Sequence, residues 1–284
     1  MLKRRDFLKT SAGVLAGLYA VDAEATLANL GALSKEKSLD RIGVQLYSVR
    51  SLMEKDFEGT LKKVAAAGYK EVEFAGYYER KPADIKKLLG ELGLKAPATH
   101  QGLAVFEQKM DWLLETSKIL GHEYLVCPWL APEMRTSIDT YKKLAASFNK
   151  FGEACHKTGM RFAYHNHEFE FETIGGQIPY DVLLAETDPK LVHMEIDLFW
   201  IAKAGKDVFS YFDKAPGRYA LCHVKDMDEN GKMTDVGKGK IDFGKIFAHA
   251  KHAGLKHFFV EHDQPEDPLQ SITASAQHLK ALKF

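Results

Sequence analysis

Short apolar segments alternate with longer amphipathic segments along most of the chain, and this alternation is the feature that most constrains its fold. Eight apolar segments have the composition of strands: residues 42–47, 71–74, 95–99, 124–127, 161–165, 191–196, 219–224 and 257–261. Helical patterns lie between them, among them residues 57–67, 83–92, 110–120, 141–157 and 243–253. Successive strands begin about 25 to 40 residues apart, which is the length of one βα unit.

A glycine separates a helical pattern from the next strand at five places: Gly68, Gly93, Gly121, Gly159 and Gly254. Glycine in this position adopts the left-handed conformation that ends a helix. Alternating strands and helices favour a parallel sheet, and eight units in about 245 residues fit a closed (β/α)₈ barrel. We therefore predict a single-domain TIM barrel over residues 41–284. A doubly wound open sheet is the alternative, but no G-x-G-x-x-G motif follows the first strand.

The first residues have the pattern of an export signal. Arg4 and Arg5 precede an apolar, glycine-containing stretch, which resembles a twin-arginine leader, and Ala23-Glu24-Ala25 is typical of a cleavage site. We predict a signal peptide over residues 1–25, a linker over 26–40, and a periplasmic or other extracytoplasmic location. No later segment approaches about 18 consecutive apolar residues, so no membrane contact is expected beyond an uncleaved leader.

Charge and cysteine content exclude some classes of protein. Lysine plus arginine and aspartate plus glutamate each number 39, and this zero net charge argues against a general nucleic-acid binder. The three cysteines, Cys127, Cys155 and Cys222, are far apart, and two of them lie inside predicted strands. Buried free thiols are therefore expected.

Imidazole and carboxylate groups stand at the ends of the last four predicted strands, where a TIM barrel has its active site. Residues two apart share one face of a strand, which pairs the following groups: His165 with His167, Glu195 with Asp197, His223 with Lys225, and Glu261 with Asp263. Convergence of these nitrogen and oxygen ligands predicts one divalent metal ion, with Mn²⁺, Co²⁺ or Zn²⁺ favoured over Mg²⁺.

Aromatic residues also lie near the predicted mouth of the barrel. Tyr47, Trp129 and Trp200 could stack on the apolar faces of a sugar, or they could pack beneath the loops. His100 and Glu195, which stand at or near strand ends, are predicted to contact the same substrate.

These motifs resemble the xylose isomerase-like TIM barrels of the sugar phosphate isomerase/epimerase family, from about Ile42 to the C-terminus. The most specific points are Ile42-Gly-Val-Gln-Leu-Tyr47, His223-Val-Lys-Asp226 and Gly237-Lys-Gly-Lys-Ile-Asp-Phe243. The resemblance implies one divalent metal ion with a ligand from each of strands five to eight. On this sequence the four ligands are His165, Asp197, His223 and Glu261.

The resemblance also implies proton transfer next to a carbonyl group. Family epimerases use two carboxylates on opposite sides of the substrate, but His165 stands where many members have glutamate. We expect Glu261 to act as the base, His167 to donate a proton, and Lys225 to hold a developing oxyanion. Such a set also suits elimination, and Tyr164-His-Asn-His167 resembles the inosose dehydratase and keto-sugar lyase branch.

The leading hypothesis is thus an isomerase or epimerase acting on an unphosphorylated sugar or keto-sugar. A lyase, dehydratase or hydratase on the same metal site is one alternative. A non-catalytic exported carbohydrate-binding barrel is another, and a homodimer is left open. DNA repair is not expected, because Trp200 replaces a histidine that the related apurinic-site endonucleases need for their metal cluster.

Overall fold

Eight parallel strands close into a barrel in the computed structural model, which describes residues 37–284. They are β1 (Gly43–Gln45), β2 (Glu71–Phe74), β3 (Lys95–His100), β4 (Tyr124–Cys127), β5 (Arg161–His165), β6 (Val192–Asp197), β7 (Tyr219–Val224) and β8 (His257–Val260). Each strand pairs with its neighbours in the chain, and β1 pairs with β8 to complete the ring. The predicted (β/α)₈ barrel is confirmed.

Helices surround this barrel. They are α1 (Arg50–Met53), α2 (Phe57–Ala67), α3 (Pro82–Leu92), α4 (Leu103–Gln108), α5 (Met110–Leu120), α6 (Ile138–Lys157), α7 (Pro179–Glu186), α8 (Leu198–Lys203), α9 (Val208–Lys214), α10 (Phe243–Ala248), α11 (Ala250–Ala253) and α12 (Pro268–Ala281). Three short 3₁₀ helices occupy Leu46–Val49, Pro132–Met134 and Phe169–Phe171.

Side-chain caps explain two places where the observed elements depart from the predicted bounds. The first strand ends at Gln45, because its Oε1 accepts a hydrogen bond from the backbone N–H of Tyr47 and starts a 3₁₀ turn. Helix α6 begins three residues earlier than predicted, because Oγ of Ser137 accepts from the backbone N–H of Thr140. The predicted helix over 243–253 is divided at His249.

The five glycines predicted to end helices all have positive φ, from 65° at Gly93 to 99° at Gly68. Gly254 is constrained further by packing, since a Cβ atom there would lie 2.8 Å from backbone atoms of Gly217. These positions confirm the punctuation expected from the sequence.

A small apolar cluster fills the inside of the barrel below its C-terminal end. Its largest members are Tyr124 and Phe259, and both are fully buried. The Phe259 ring occupies the space beside Gly43, where an added Cβ would lie 2.4 Å from Cδ1 of that ring. Burying one such ring stabilises a fold by about 1.5–3 kcal/mol. Phe259 also contacts the ring of His223 and so forms part of the floor beneath the polar residues above it.

The segment after β7 is organised by one buried carboxylate. Asp226 accepts hydrogen bonds from the backbone N–H groups of Met227, Gly237, Gly239 and Ile241, at 2.8 to 3.2 Å. Within this segment Asp226–Met227 and Met233–Thr234 pair as a short antiparallel sheet. The motif over residues 223–226, at the end of β7, and the motif over residues 237–243 are therefore joined through the Asp226 side chain.

The described residues contain no helix that is both long and apolar enough to span a bilayer. The predicted signal peptide, and the linker as far as residue 36, lie outside the described residues. Cys127, Cys155 and Cys222 are buried free cysteines, as expected.

Candidate metal centre and active site

The four predicted metal ligands lie close together at the C-terminal end of the barrel. Strand register brings this about, because β5, β6 and β7 align His165 with Glu195 and Asp197 with His223. Glu261 follows β8 directly. All four side chains are buried.

The distances define an upper set of ligands around one ring nitrogen of His223. Nδ1 of His223 lies 2.7 Å from Oε2 of Glu261 and 3.9 Å from Oδ2 of Asp197. Nε2 of His165 lies 3.8 Å from the same Asp197 oxygen. Side chains from four consecutive strands therefore converge on one place.

Asp197 faces this place because it also caps a helix. Its Oδ1 accepts hydrogen bonds from the backbone N–H groups of Phe199 and Trp200, both at 2.9 Å, and this starts α8. The other oxygen, Oδ2, is left for the upper set. The Asp197-Leu-Phe-Trp200 sequence thus performs a structural and a site role with one side chain.

A deeper set of buried groups lies against the other ring nitrogen of His223. Nε2 of His223 is 2.8 Å from Oε2 of Glu73, and Nε2 of His100 is 2.6 Å from Oε2 of Glu195. Nδ1 of His165 lies 3.2 Å from that Glu195 oxygen. Glu195, predicted to bind substrate, is instead enclosed among imidazoles and does not line the cleft.

Glu73 is the main site residue to which the sequence analysis assigned no role, although it stands at the predicted end of β2. It is fully buried at the C-terminal end of β2, and Nε2 of Gln45 donates a hydrogen bond to it at 2.9 Å. A signal was present in the sequence, because Glu71 and Glu73 alternate with Val72 and Phe74 in a predicted strand. All four residues of this strand are buried. Two carboxylates on the inner face of one strand indicate partners inside the barrel.

Lys225 lies among three carboxylates. Its Nζ is 2.6 Å from Oε2 of Glu261, 3.0 Å from Oδ2 of Asp197 and 2.9 Å from Oδ1 of Asp263. An ammonium group has three N–H donors, so these contacts match its full capacity. Lys225, which was expected to hold a substrate oxyanion, thus has its ammonium group directed at three carboxylates in this structure.

The charges of these groups set which of them can act as a base. Burial by itself would raise the pKa of Glu261, but Lys225 and His223 outweigh burial and hold that pKa well below its usual range. Burial raises the pKa of Asp197 to about 6. Burial and the neighbouring Glu195 raise the pKa of Glu73 to about 7. Glu261 is thus an ionised carboxylate at the cleft.

The imidazoles divide into two kinds. Burial lowers the pKa of His165 to about 3 and that of His167 to about 2, so both are neutral at neutral pH. Burial would also lower the pKa of His100, but Glu73 and Glu195 reverse this and raise it. His100 therefore differs from His165 and His167 in favouring its protonated form.

A cleft of about 560 Å³ opens above these groups. His100, His165, His167, Lys225 and Glu261 reach it from below. Its rim includes two exposed aromatic side chains predicted to bind substrate, Tyr47 at 42% and Trp129 at 45% exposure. Trp200 is not among the lining residues. The centroid of its ring lies 5.4 Å from the centroid of the His167 ring and 5.6 Å from Nζ of Lys225.

The loop that carries His167 is held by a buried carboxylate, Glu170. The backbone N–H of His167 donates to Oε2 of Glu170 at 2.7 Å, and the hydroxyl of Tyr164 donates to Oε1. Burial raises the pKa of Glu170 to about 7. This carboxylate holds the backbone of His167 in place, although it does not itself line the cleft.

The residues present fit a divalent metal ion. One ligand atom from each of His100, His165, Glu195 and His223, or from each of Asp197, His223 and Glu261, lies within 4.8 Å of the others in its set. Two buried carboxylate oxygens, Oε1 of Glu73 and Oε1 of Glu195, accept no hydrogen bond from the described residues. Buried anionic oxygens without donors indicate a cation.

Comparison with known proteins agrees with this architecture. The inosose dehydratase of Geobacillus thermodenitrificans (strain NG80-2) is 23% identical over 254 residues, which cover 75% of this chain and 83% of that protein. The inosose dehydratase of Clostridium perfringens (strain ATCC 13124) is 25% identical over 213 residues, covering 67% and 70%. A sugar phosphate isomerase/epimerase structure from Parabacteroides distasonis ATCC 8503 superimposes with a TM-score of 0.74 at 25% identity, covering 88% of this chain and 96% of that one.

A family profile decides the assignment. The profile described as "Xylose isomerase-like TIM barrel" matches residues 61–282, which is most of the chain. The resemblance noted in the sequence is thereby confirmed, and the chain belongs to the xylose isomerase-like TIM barrel family.

Proposed function

We propose that this chain is a divalent-metal-dependent enzyme that removes the proton next to the carbonyl group of an unphosphorylated keto-sugar or keto-polyol and then expels a β-hydroxyl group as water. One observation carries the proposal. An ionised carboxylate and a proton-bearing imidazole, Glu261 after β8 and His100 at the end of β3, line the same cleft from strands three positions apart in the barrel. The base and the acid thus differ in chemical type and approach the substrate from different sides.

The bonds change as follows. Glu261 takes the proton from the carbon next to the carbonyl group, and the C–H electron pair forms the enolate. That electron pair then forms the carbon–carbon double bond as the bond to the β-hydroxyl group breaks. His100 gives its proton to the leaving oxygen, which departs as water. Lys225, 2.6 Å from Glu261, keeps the base ionised beforehand.

The metal ion would be held by residues around His223, namely His165, Asp197, His223 and Glu261. A divalent ion bound there would act as a Lewis acid on the carbonyl oxygen and stabilise the negative charge that develops on it. Neutral His165 suits a ligand role, because a ligand imidazole must have a free lone pair. The mixture of nitrogen and oxygen ligands supports Mn²⁺, Co²⁺ or Zn²⁺ over Mg²⁺.

The choice of elimination over epimerisation depends on His165. An epimerase of the two-carboxylate kind needs a base on each side of the substrate, and here a neutral imidazole occupies one of those places. The relatives named inosose dehydratase support elimination as well. The sequence contains no Walker-type phosphate-binding loop, which supports an unphosphorylated substrate.

Isomerisation or epimerisation is the second candidate. Asp263 supplies another carboxylate at the cleft, 2.9 Å from Lys225, and could return a proton to a neighbouring carbon. The Parabacteroides isomerase/epimerase at 25% identity favours the same reading.

The test is to incubate the Mn²⁺-loaded protein with a set of inososes and keto-hexoses in D₂O and follow the products by NMR. We expect a vinylic product with loss of one hydroxyl group. Deuterium at a carbon next to the carbonyl group without a vinylic product would support the second candidate. Tight binding without exchange, with Mn²⁺, Co²⁺ and Zn²⁺ each tried, would contradict both and favour a carbohydrate-binding protein.

A further inference from the structure

We propose that Glu73 and Glu195 are positioning residues of the metal centre, each of which accepts the N–H of one ligand imidazole and thereby turns the other ring nitrogen toward Asp197 and Glu261. This inference rests on the proposed function, because it requires that the chain bind a divalent ion.

His223 shows the arrangement most directly. Its Nε2 lies 2.8 Å from Oε2 of Glu73, and its Nδ1 lies 2.7 Å from Oε2 of Glu261. A neutral imidazole has one N–H and one lone pair, so only one of these nitrogens can serve as a metal ligand. In the tautomer that we propose for the metal-bound protein, Nε2–H donates to Glu73 and the lone pair of Nδ1 faces Glu261 and Asp197.

His165 repeats the arrangement with the ring reversed. Its Nδ1 lies 3.2 Å from Oε2 of Glu195, while its Nε2 lies 3.8 Å from Oδ2 of Asp197. Donation from Nδ1–H to Glu195 leaves the Nε2 lone pair directed at the upper set. A carboxylate behind each ligand histidine fixes its tautomer and raises its basicity as a ligand.

The two positioning carboxylates are themselves held in place. Gln45 donates to Glu73 at 2.9 Å, and His100 contacts Glu195 at 2.6 Å. Both glutamates are fully buried, and no lysine or arginine of the described residues forms an ion pair with either. Among the described residues, their ion-pair partners are therefore imidazoles.

A second arrangement of the same atoms is what the experiment must separate. His100, His165, Glu195 and Nε2 of His223 are also a four-member ligand set. An ion at that level would require the opposite tautomer of His223, with Nδ1–H donated to Glu261. Glu195 would then be a ligand, and Glu261 would be a positioning residue.

The first measurement needs no substitution. In the full chain loaded with Zn²⁺, ¹⁵N NMR of the histidine rings reports which nitrogen carries the proton and which binds the metal. We expect Nε2–H and metal-bound Nδ1 for His223, and Nδ1–H and metal-bound Nε2 for His165. Nδ1–H on His223 would overturn the proposal.

The second measurement compares metal affinity in Glu73→Gln, Glu195→Gln and Glu261→Gln. We expect one Mn²⁺ still to bind in the first two, about 10- to 100-fold more weakly, and binding to weaken further in the third. The matched control is Glu71→Gln. Glu71 lies on the same strand as Glu73 but toward the other end of the barrel, where it forms a buried pair with His257 at 2.8 Å. That variant should bind Mn²⁺ as the parent does.

Each other outcome has a definite meaning. Unchanged affinity in both Glu73→Gln and Glu195→Gln would overturn the positioning roles while leaving the proposed function intact. Loss of binding in Glu195→Gln with binding kept in Glu261→Gln would place the ion in the deeper set and also overturn them. A parent protein that binds neither Mn²⁺ nor Zn²⁺ would contradict the metal-dependent function itself.

Discussion

Nζ of Lys225 lies 2.6 Å from Oε2 of Glu261, and both side chains are buried at the floor of the cleft. This contact keeps the base ionised in a place where burial alone would favour its protonated form. It also gives three neighbouring carboxylates one shared cation. Several measurable consequences depend on this pair and on the groups around it.

Glu261→Gln should abolish proton removal. Because the amide cannot accept the proton, we expect exchange of the substrate proton in D₂O to fall by about 10²- to 10⁴-fold. Glu266→Gln is the control, since Glu266 is exposed in the same loop. Metal content must be measured alongside, because Glu261 is also a proposed ligand. Exchange at the parent rate would show that another group is the base.

Lys225→Met should destabilise the fold at neutral pH in metal-free protein. It leaves Asp197, Glu261 and Asp263 without their cation, and breaking a buried pair of this kind costs about 3–5 kcal/mol. Urea unfolding measures the change. Lys203→Met is the matched control, because the Lys203–Glu168 pair is separated by 3.5 Å and is about two-fifths exposed, so its loss should cost less than about 1 kcal/mol. Equal effects in the two variants would argue against the counterion role.

Metal removal should abolish turnover and lower stability together. Dialysis against a chelator should remove activity, and Mn²⁺, Co²⁺ or Zn²⁺ should restore it. At an ion concentration of about 100 times the Kd, the folded state gains about 2.7 kcal/mol, which thermal unfolding detects. Full turnover in protein shown by elemental analysis to be metal-free would contradict the proposed chemistry.

Stability should fall at mildly acidic pH in part because of His122, which lies away from the metal centre. Its Nδ1 contacts the carbonyl oxygen of Ala96 at 2.6 Å, and burial lowers its pKa to about 4. The unfolded chain takes up this proton near pH 6.5, so the contribution is present above that pH and is lost as the pH falls toward 4. The shift corresponds to about 3 kcal/mol.

His122→Gln tests this expectation. Urea unfolding between pH 7 and pH 4 should show a smaller loss of stability in the variant than in the parent protein. His252→Gln is the control, because His252 is on the surface and contacts Asp213 there. A parallel pH profile for His122→Gln and the parent would show that His122 does not contribute.

Trp129→Ala should weaken substrate binding with little effect on the chemical step. Its exposed ring lies at the rim of the cleft, where it can stack on a sugar, and loss of about 1 kcal/mol raises KM roughly fivefold. Trp112→Ala controls for loss of an exposed tryptophan, since Trp112 is 46% exposed and outside the cleft. An unchanged KM in Trp129→Ala would remove this residue from the binding site.

Much of the barrel could be predicted because its signals are local. Glycine after a helix and a short apolar strand are both properties of a few adjacent residues, and strands β2, β4, β5 and β7 have the bounds predicted for them. Alternation along four strands predicted that imidazole and carboxylate groups converge at one end of the barrel, and the family resemblance implied that His165, Asp197, His223 and Glu261 are the ligands. These inferences needed no knowledge of distant contacts.

The rest depends on contacts that sequence does not display. Glu73 meets His223, 150 residues away, and nothing near Glu73 in the chain identifies that partner. The neutral state of His167 follows from its burial, which is set by Phe169 and Trp200 once the loop is folded. The surroundings of Lys225 are a similar case, because its three carboxylates come from Asp197 in β6 and from Glu261 and Asp263 in the segment after β8.

The Asp226 carboxylate has a consequence for how this barrel can vary. Because it binds the backbone at Met227 and again at Gly237, Gly239 and Ile241, both ends of the intervening hairpin are fastened at one point beside β7. The hairpin in turn approaches the site, since the backbone N–H of Asp263 donates to Sδ of Met233. Natural variation in the length or sequence of residues 228–232 could therefore reshape the surroundings of the substrate while the scaffold that holds the ligands stays unchanged.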